Sequence, residues 1–358
     1  MAGIYIHIPF CKKRCLYCDF FSTTLLERRE EYVKALLQEI SCRKEETGEK
    51  IRTVYIGGGT PSTLDADHIK RLLEAIGTDD AEEITMEMNP GDATEAYLQA
   101  LRAAGVNRLS IGIQSFQDSL LHMIGRRHNA ALAIQAVRWA QEAGFDNLSV
   151  DLMYALPTQT GSQWEADIET ALSLGVQHIS SYGLMYEPGT AMTRALERGE
   201  LTPIDEDEEN AMYDRLCQQL QAAGFVHYEV SNFALTGYEA KHNSSYWDGT
   251  PYIGVGAGAH SYVPPVRSWN PDNLDTYISG IRTGTLVREE ERLTDKDRYN
   301  ERIMLGLRTR RGLLREEIQG DISGHIEAGL LQETEEHRVV ATQQGLHLLN
   351  RIIEDLMI

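Results

Sequence analysis

Residues 4–22 read IYIHIPFCKKRCLYCDFFS and join a short apolar segment to a loop that is rich in cysteine. The segment IYIHI is typical of a β-strand. The loop holds Cys11, Cys15 and Cys18 in the spacing C-x-x-x-C-x-x-C, although the whole chain has only 5 cysteines. A strand that runs directly into three thiols predicts a metal or redox site at the carboxyl end of the first strand.

Composition and charge limit the classes of function. With 358 residues and 42% hydrophobic residues, the chain can bury a full-sized core and carry a smaller second domain. Its formal net charge of −20 repels a phosphate backbone, so we expect no nucleic acid as a partner. The first residues show neither a basic leader nor a long apolar run, and we expect no transmembrane segment and a cytoplasmic location. In that reducing setting, close cysteines serve metal or redox chemistry rather than disulfides.

The rest of the first half repeats a strand followed by a helix. A helix-period run from Leu25 to about Glu46 follows the cysteine loop. Five further strand segments follow: TVYIGGGTPS (53–62), ITMEMNP (84–90), RLSIGIQSF (108–116), LSVDLMYALP (148–157) and HISSYGLMYEP (178–188). Such alternation predicts a parallel sheet with helices outside it, and six units are fewer than the eight of a closed barrel. The sequence therefore predicts an α/β fold, an open partial (β/α)6 barrel.

Polar residues recur where these strands end. Gly57–Thr60, Glu87, Gln114 and Asp151 lie in or just after four of the strands, and the cysteine loop follows another. Each of them alone is compatible with a turn or a helix cap. Because parallel β/α sheets bind ligands at the carboxyl edge of their strands, the recurrence over five strands predicts one shared site.

The three local cysteines leave two metal sites open. A [4Fe–4S] cluster takes cysteine thiolates, and three of them leave one iron free for a small chelating molecule, which is the arrangement that radical chemistry uses. Zinc accepts three cysteines and a histidine, and His7 has a usable spacing, although its place within a strand favours local packing. Cys42 and Cys217 fall within helix-period runs and are interpreted as small core residues.

These motifs together resemble the radical S-adenosylmethionine superfamily, through CKKRCLYC and GGGTP. YIHIPFC, YIGGGTPS, SIGIQSF and DLMYALP resemble its anaerobic coproporphyrinogen III oxidase-like family more closely. The resemblance implies a barrel of the radical S-adenosylmethionine type, a [4Fe–4S] cluster held by Cys11, Cys15 and Cys18, and an electron donor if the cluster is reduced. It assigns contacts with S-adenosylmethionine to Tyr5, Gly58, Gly59, Thr60, Glu87, Gln114, Arg126 and Asp151.

Two departures separate the chain from the true coproporphyrinogen dehydrogenases of that family. Those enzymes have a cysteine two positions after the third cluster ligand, where this chain has Phe20. They also have a sizeable arm before the first strand, which starts here by residue 4. Since an aromatic ring cannot act as a thiolate, the departures argue against dehydrogenase activity. A radical oxidoreductase that acts on a porphyrinogen such as coproporphyrinogen III stays the alternative function.

The segment KHNSSYWDG (241–249) matches the H-N-x-x-Y-W motif of the HemW branch of the family, a group of heme chaperones. The match implies heme as a ligand of His242, with Tyr246 and Trp247 beside the macrocycle, and an acceptor hemoprotein as a partner. From the residues alone, the segment is a surface loop in which His242 caps a turn. His260 is the second candidate heme ligand. The predicted function is a heme chaperone that keeps a [4Fe–4S] cluster with S-adenosylmethionine and delivers heme to an acceptor protein.

The last 65 or so residues have a different pattern. Helical runs are followed by a hairpin signal in HRVVATQQGLHLL and by a final helix, an order that resembles a winged-helix domain. Its small basic cluster RTRRG is interpreted as a solvated helix end, and the domain as a lid or docking surface. We predict domains at 1–190 (the barrel), 191–290 (a barrel extension with the His242 loop) and 291–358 (a winged-helix-like α+β domain).

Overall fold

The computed structural model describes residues 1–358, and its centre is a row of six parallel strands. Each strand pairs with the next one along the chain. The strands are β1 (Ala2–Ile8), β2 (Ile51–Gly58), β3 (Glu83–Met88), β4 (Arg108–Gln114), β5 (Leu148–Tyr154) and β6 (His178–Gly183). In β1 the alternate residues Ile4, Ile6 and Ile8 are fully buried in the main core. The predicted open β/α barrel is confirmed.

Helices connect successive strands, and several of them begin at a residue whose side chain caps the helix. Thr94 Oγ1 accepts a hydrogen bond from the Tyr97 amide at the start of one helix, and Gly105 ends the same helix with a φ of 108°. Asn129 and Thr160 cap two further helices in the same way. The helices are α1 (Arg29–Arg43), α2 (Ala66–Ile76), α3 (Glu95–Ala104), α4 (Asp118–Met123), α5 (Ala130–Glu142), α6 (Gly161–Ser173), α7 (Ala191–Glu197) and α8 (Glu206–Ala222).

Short strands extend the sheet at both edges, to 12 strands in all. Beside β6 lies the antiparallel β8 (Asn232–Ala234), and β7 (Val226–Glu229) pairs antiparallel with β8 at the edge of the sheet. Beside β1 lies the parallel β9 (Tyr252–Val255), followed by the antiparallel β10 (His260–Val263), β11 (Val266–Trp269) and β12 (Glu289–Arg292). The sequence did not predict these strands, because 3 or 4 residues are too few to show a period.

A buried carboxylate joins α1 to the extension beside β1. Glu39 is 1% exposed and forms an ion pair with Arg43, with 2.7 Å between Oε1 and the guanidinium. The Glu39 carboxylate also accepts hydrogen bonds from the Gly256 amide at 2.8 Å, Asn270 Nδ2 at 2.8 Å and the Tyr277 hydroxyl at 2.7 Å. A buried charge with this many donors is fully compensated, and it fixes the position of the strands that follow β9.

The segment 241–249 is a helix, and the prediction of a surface loop there was wrong. Helix α9 (Lys241–Asp248) lies across the amino-terminal end of the barrel. The amides of Lys241 and His242 donate to the Glu83 carboxylate at 2.7 and 3.0 Å. Glu83 is the first residue of β3, and its negative charge at the helix amino terminus favours the helix. Tertiary contacts of this kind leave no periodic signal in a short polar segment.

The ring of His242 is completely buried inside this helix contact. Its Nδ1 is hydrogen-bonded to Thr53 Oγ1 at 2.9 Å, and its Nε2 to the Tyr246 hydroxyl at 2.8 Å. The ring also stacks on Tyr55, with centroids 5.4 Å apart. Both ring nitrogens are therefore occupied, and the imidazole holds α9 on the barrel.

The C-terminal residues form a smaller α+β unit with its own core. It contains α11 (Asp295–Gly306), and α10 (Leu274–Thr283) precedes it. A sheet in the order β13 (Leu313–Leu314), β15 (Arg338–Ala341), β14 (Leu331–Glu333) packs with α12 (Ser323–Glu327), α13 (Gln343–His347) and α14 (Leu349–Leu356). The hairpin predicted within HRVVATQQGLHLL was wrong, because β15 pairs with the preceding β14 and is followed by a helix. This unit has a core of 12 buried residues, whereas buried residues from Ile4 to Ile281 share one core of 54. The boundaries near 190 and 290 stay predictions. No helix in the molecule combines the length and the apolar character that crossing a bilayer requires.

The buried state of His242 predicts a pH-dependent stability difference. Burial lowers the pKa of His242 to about 3, against about 6.5 in the unfolded chain. Between these values only the unfolded state binds the proton, so folding loses about 1.4 kcal/mol per pH unit as the pH falls below ~6.5. His242→Gln keeps hydrogen-bonding groups but does not titrate there.

We expect the free energy of unfolding of wild type, measured by urea denaturation, to fall relative to that of His242→Gln by about 1.4 kcal/mol per pH unit between about pH 6 and 4.5. Measuring the difference between the two proteins cancels the titration of the other buried histidines. A difference that stays constant from about pH 7.5 to 4.5 would contradict the buried, neutral imidazole.

Candidate functional site

A cavity of about 420 Å³ opens at the carboxyl ends of the barrel strands. The cysteine loop forms one wall, and residues at the ends of β2 to β6 form the others. The predicted site residues that line it are Cys11, Cys15, Cys18, Gly58, Gly59, Thr60, Glu87, Gln114, Arg126 and Asp151. The sequence motifs are thus brought together in one cavity. The roles assigned to the individual residues stay predictions.

The cysteine loop packs closely against the glycine-rich end of β2. Cys11 Sγ lies 3.4 Å from Thr60 Oγ1, and an Arg126 guanidinium nitrogen donates to Cys15 Sγ at 3.4 Å. A Cβ on Gly59 would lie 2.9 Å from the Pro9 carbonyl oxygen and 3.0 Å from Cys11 Sγ. Only glycine therefore allows the two loops to approach this closely.

An ion-pair cluster that the sequence analysis missed anchors the same loop. The buried carboxylate of Asp92 accepts from Lys12 Nζ at 2.7 Å and from an Arg127 nitrogen at 2.9 Å. It also accepts from the Ser62 hydroxyl at 3.0 Å. Asp92 follows β3 just as the predicted residues follow their strands, so its position after MEMNPG was an available signal.

The geometry argues against a zinc ion held by the three cysteines and a histidine. His7 has both ring nitrogens in hydrogen bonds, at 3.0 Å to the Tyr5 hydroxyl and at 3.0 Å to the Phe21 carbonyl oxygen. No three His, Cys, Asp or Glu side chains are grouped closely enough to hold a single metal ion. Three thiols around one cavity that no histidine lines form a donor set that suits an iron–sulfur cluster.

Two partly buried carboxyl groups, those of Glu87 and Asp151, line the cavity inside the barrel. Glu87 accepts hydrogen bonds from the Tyr55 hydroxyl at 2.9 Å and the Gly58 amide at 3.1 Å. Burial, together with the nearby Asp151 carboxylate, raises the pKa of Glu87 to about 7. Burial also raises the pKa of Asp151, which accepts from the Ser110 hydroxyl at 2.9 Å. Such a pair favours a ligand that brings positive charge or several hydroxyl groups.

Tyr5 does not line the cavity, although the resemblance assigns it to the ligand. It lies three residues before the end of β1, where its ring stacks on Tyr55 with centroids 6.1 Å apart. The spacing of a motif does not indicate how deep in the barrel a residue lies. The sequence therefore could not show that Tyr5 lies outside the cavity lining. Gln114 does line the cavity, with a φ of 72° that non-glycine residues rarely adopt and that is concentrated at functional sites.

A second cavity, of about 1040 Å³, lies beyond α9 and is separate from the first. Tyr246, Trp247 and His260 line it, whereas Asn243 of the same helix lines the cysteine cavity. His242 lines neither cavity. For its ring to reach a ligand, a hydrogen bond to Thr53 or Tyr246 has to break. The structure therefore leaves His260, of the two candidate histidines, with access to a large cavity.

Comparison with solved structures shows the fold. The coproporphyrinogen III oxidase HemN from Escherichia coli, described as a radical SAM enzyme, superimposes with a TM-score of 0.83. The alignment covers 99% of this chain and 90% of that protein, at 22% sequence identity. At this identity the similarity concerns the fold alone.

Sequence comparison gives the family. The model of the radical SAM superfamily matches residues 5–171. The heme chaperone HemW of Lactococcus lactis is 36% identical over 99% of this chain and 97% of its own length, and that of Bacillus subtilis is 39% identical over 87% and 85%. A mitochondrial radical S-adenosyl methionine domain-containing protein 1 from Danio rerio is 35% identical over 87% of this chain and 74% of its own length. The chain therefore belongs to the HemW family of the radical SAM superfamily.

Proposed function

We propose that the protein is a heme chaperone, which binds heme and delivers it to an acceptor hemoprotein. The observation that carries this proposal is the presence of two separate cavities on either side of α9, the helix with the H-N-x-x-Y-W motif. One is lined by the three cysteines, and the other is large enough for a macrocycle. Relatives that are 36% and 39% identical are named heme chaperones, which supports the same function here.

The cysteine cavity would hold a [4Fe–4S] cluster on Cys11, Cys15 and Cys18, with S-adenosylmethionine beside it. When bound and supplied with an electron by a donor, this pair provides reductive cleavage of S-adenosylmethionine. Arg126 can pair with a ligand carboxylate, and Glu87 can accept hydrogen bonds from an ammonium group or ribose hydroxyls. Both side chains already line the cavity beside the thiols.

A reducing compartment such as the cytoplasm suits this chemistry. All 5 cysteines are free thiols in the structure. Cys217 is buried as predicted, whereas Cys42 is exposed, so the prediction of a core position was wrong for Cys42. Thiols in an oxidising compartment tend to pair, whereas a cluster needs them as thiolates.

The alternative function is a radical oxidoreductase acting on a porphyrinogen. Phe20 is 64% exposed and lines the cysteine cavity, at the position where the resemblance gives coproporphyrinogen dehydrogenases a cysteine. A phenyl ring can neither donate a proton nor act as a thiolate. A reaction that depends on a cysteine at this position therefore cannot proceed here.

The cluster assignment predicts which cysteines retain iron. After anaerobic reconstitution we expect about one [4Fe–4S] cluster per chain, and its loss in Cys11→Ala, Cys15→Ala and Cys18→Ala. Cys42→Ala and Cys217→Ala are the matched controls, since these residues lie on α1 and α8, away from the cavity. Iron and sulfide analysis with the absorption spectrum measures the outcome. Full iron content in Cys15→Ala, or stoichiometric zinc in wild type, would contradict the assignment.

The chaperone function predicts transfer without porphyrinogen turnover. We expect the reconstituted protein to bind about one heme per chain with a saturable Soret band and to pass it to an apo-hemoprotein, measured by the acceptor's own spectrum. The same preparation, reduced and given S-adenosylmethionine, should not convert coproporphyrinogen III to protoporphyrinogen IX. Turnover equal to that of a known dehydrogenase assayed alongside, or the absence of saturable heme binding, would overturn the proposal.

A further inference from the structure

We propose that heme binds in the second cavity, where His260 supplies the axial nitrogen for the iron and Arg310 and Arg311 bind the two propionates. The inference rests on the proposed function and locates the cargo within it. It places heme across α9 from the cysteines and gives the ligand role to a histidine other than the one in the H-N-x-x-Y-W motif.

The size and the lining of the cavity fit a macrocycle. Its volume of about 1040 Å³ lies at the upper end of the ~300–1000 Å³ that ligand sites usually have, whereas the cysteine cavity measures about 420 Å³. The aromatic side chains of Tyr246, Trp247, Tyr252 and Tyr262 line it. Aromatic faces of this kind bury a flat, apolar ring well.

His260 is the histidine that this cavity presents with free ring nitrogens. Neither nitrogen makes a hydrogen bond, in contrast to His242, whose nitrogens are both bonded. The imidazole of His260 stacks on Trp269, with centroids 5.6 Å apart and planes 19° apart. Because Trp269 pairs with His260 across the β10–β11 hairpin, the ring is supported on a regular strand. A supported imidazole with an unused nitrogen is what an axial iron ligand requires.

The wall formed by the C-terminal unit carries positive charge in an otherwise acidic protein. Six arginines line the cavity together with five acidic residues, in a chain whose net charge is −20. Arg267 pairs with Glu301 at 3.0 Å, and Arg302 lies 3.8 Å from Glu317. The remaining arginines are Arg298, which pairs with Asp295, Arg338, which donates to backbone carbonyls, and Arg310 and Arg311.

Arg310 and Arg311 are the two of these arginines with free guanidinium groups. Both are exposed, line the cavity and have no acidic partner or side-chain hydrogen bond. Guanidinium groups bind carboxylates through paired hydrogen bonds, and heme carries two propionates. The RTRRG cluster, interpreted from sequence as a solvated helix end, thus lies at the edge of the cavity.

The test is a titration of the full-length protein with hemin. His260→Ala should shift the Soret band and weaken binding at least about tenfold, because the axial bond is lost. Added imidazole should restore the wild-type spectrum in this variant, which a purely structural role of His260 would not produce. His337→Ala, at an exposed position on the C-terminal unit, is the matched control and should behave as wild type.

The double variant Arg310→Ala/Arg311→Ala tests the propionate contacts. It should keep the wild-type Soret position but bind hemin at least about tenfold more weakly, because two charge-assisted contacts are lost. Hemin dimethyl ester, which lacks the carboxylates, should bind this variant and wild type equally. Retained cluster iron and an unchanged urea midpoint verify that the variants fold.

The outcomes separate this inference from the proposed function. If wild type binds no hemin saturably, both fail. If wild type binds hemin, but neither His260→Ala nor the double variant changes the spectrum or the affinity, the chaperone function stands and this location is wrong. Loss of the axial ligand in His242→Gln alone would instead place heme at the H-N-x-x-Y-W motif, with α9 opened.

Discussion

The hydrogen bonds of the buried His242 ring fix α9 on the barrel, and the arrangement of both cavities depends on that contact. A barrel of six strands leaves its interior open at the amino-terminal end. Helix α9 closes this end, with its first amides on Glu83 and its imidazole between Thr53 and Tyr246. Its two sides then face different cavities. The motif that marks the family thus acts, in this structure, as the wall between two sites.

A continuous series of side-chain contacts connects the cysteine cavity with the second cavity through α9. The Tyr55 hydroxyl donates to Glu87 in the cysteine cavity, and the Tyr55 ring stacks on His242. On the far side, the Tyr246 ring meets Tyr252 of the second cavity, with centroids 4.7 Å apart. A ligand that moves Glu87 therefore acts on groups that touch α9 directly.

Much of the fold and of the cysteine cavity could be predicted from local sequence. Each barrel strand is long enough to show its apolar pattern, and each ends in residues that the parallel topology carries to the same edge. The resemblance assigned Gly59 to S-adenosylmethionine, whereas its close approach to Pro9 and Cys11 became visible only in the structure. Depth within the barrel was not predictable, and Tyr5 therefore lies below the cavity that it was assigned to line.

The second cavity could not be predicted in this way, because its walls come from distant parts of the chain. Residues between Val226 and Arg338 line it, and no local pattern connects them. The helical state of α9 was hidden for a related reason: its segment has no apolar period, and contacts with Glu83 and Thr53 stabilise it. The position of RTRRG beside this cavity was also not predictable, because the cavity forms only where the C-terminal unit packs against the barrel extension.

The central claim, two iron sites separated by α9, is tested most directly by a crystal structure of the reconstituted, heme-loaded protein with anomalous scattering measured at the iron absorption edge. The account predicts two separate iron peaks, one within bonding distance of the three cysteine thiols and one beside His260 in the second cavity, with His242 still bonded to Thr53 and Tyr246. A heme iron peak inside the cysteine cavity, or one bonded to His242 with α9 displaced, would contradict it.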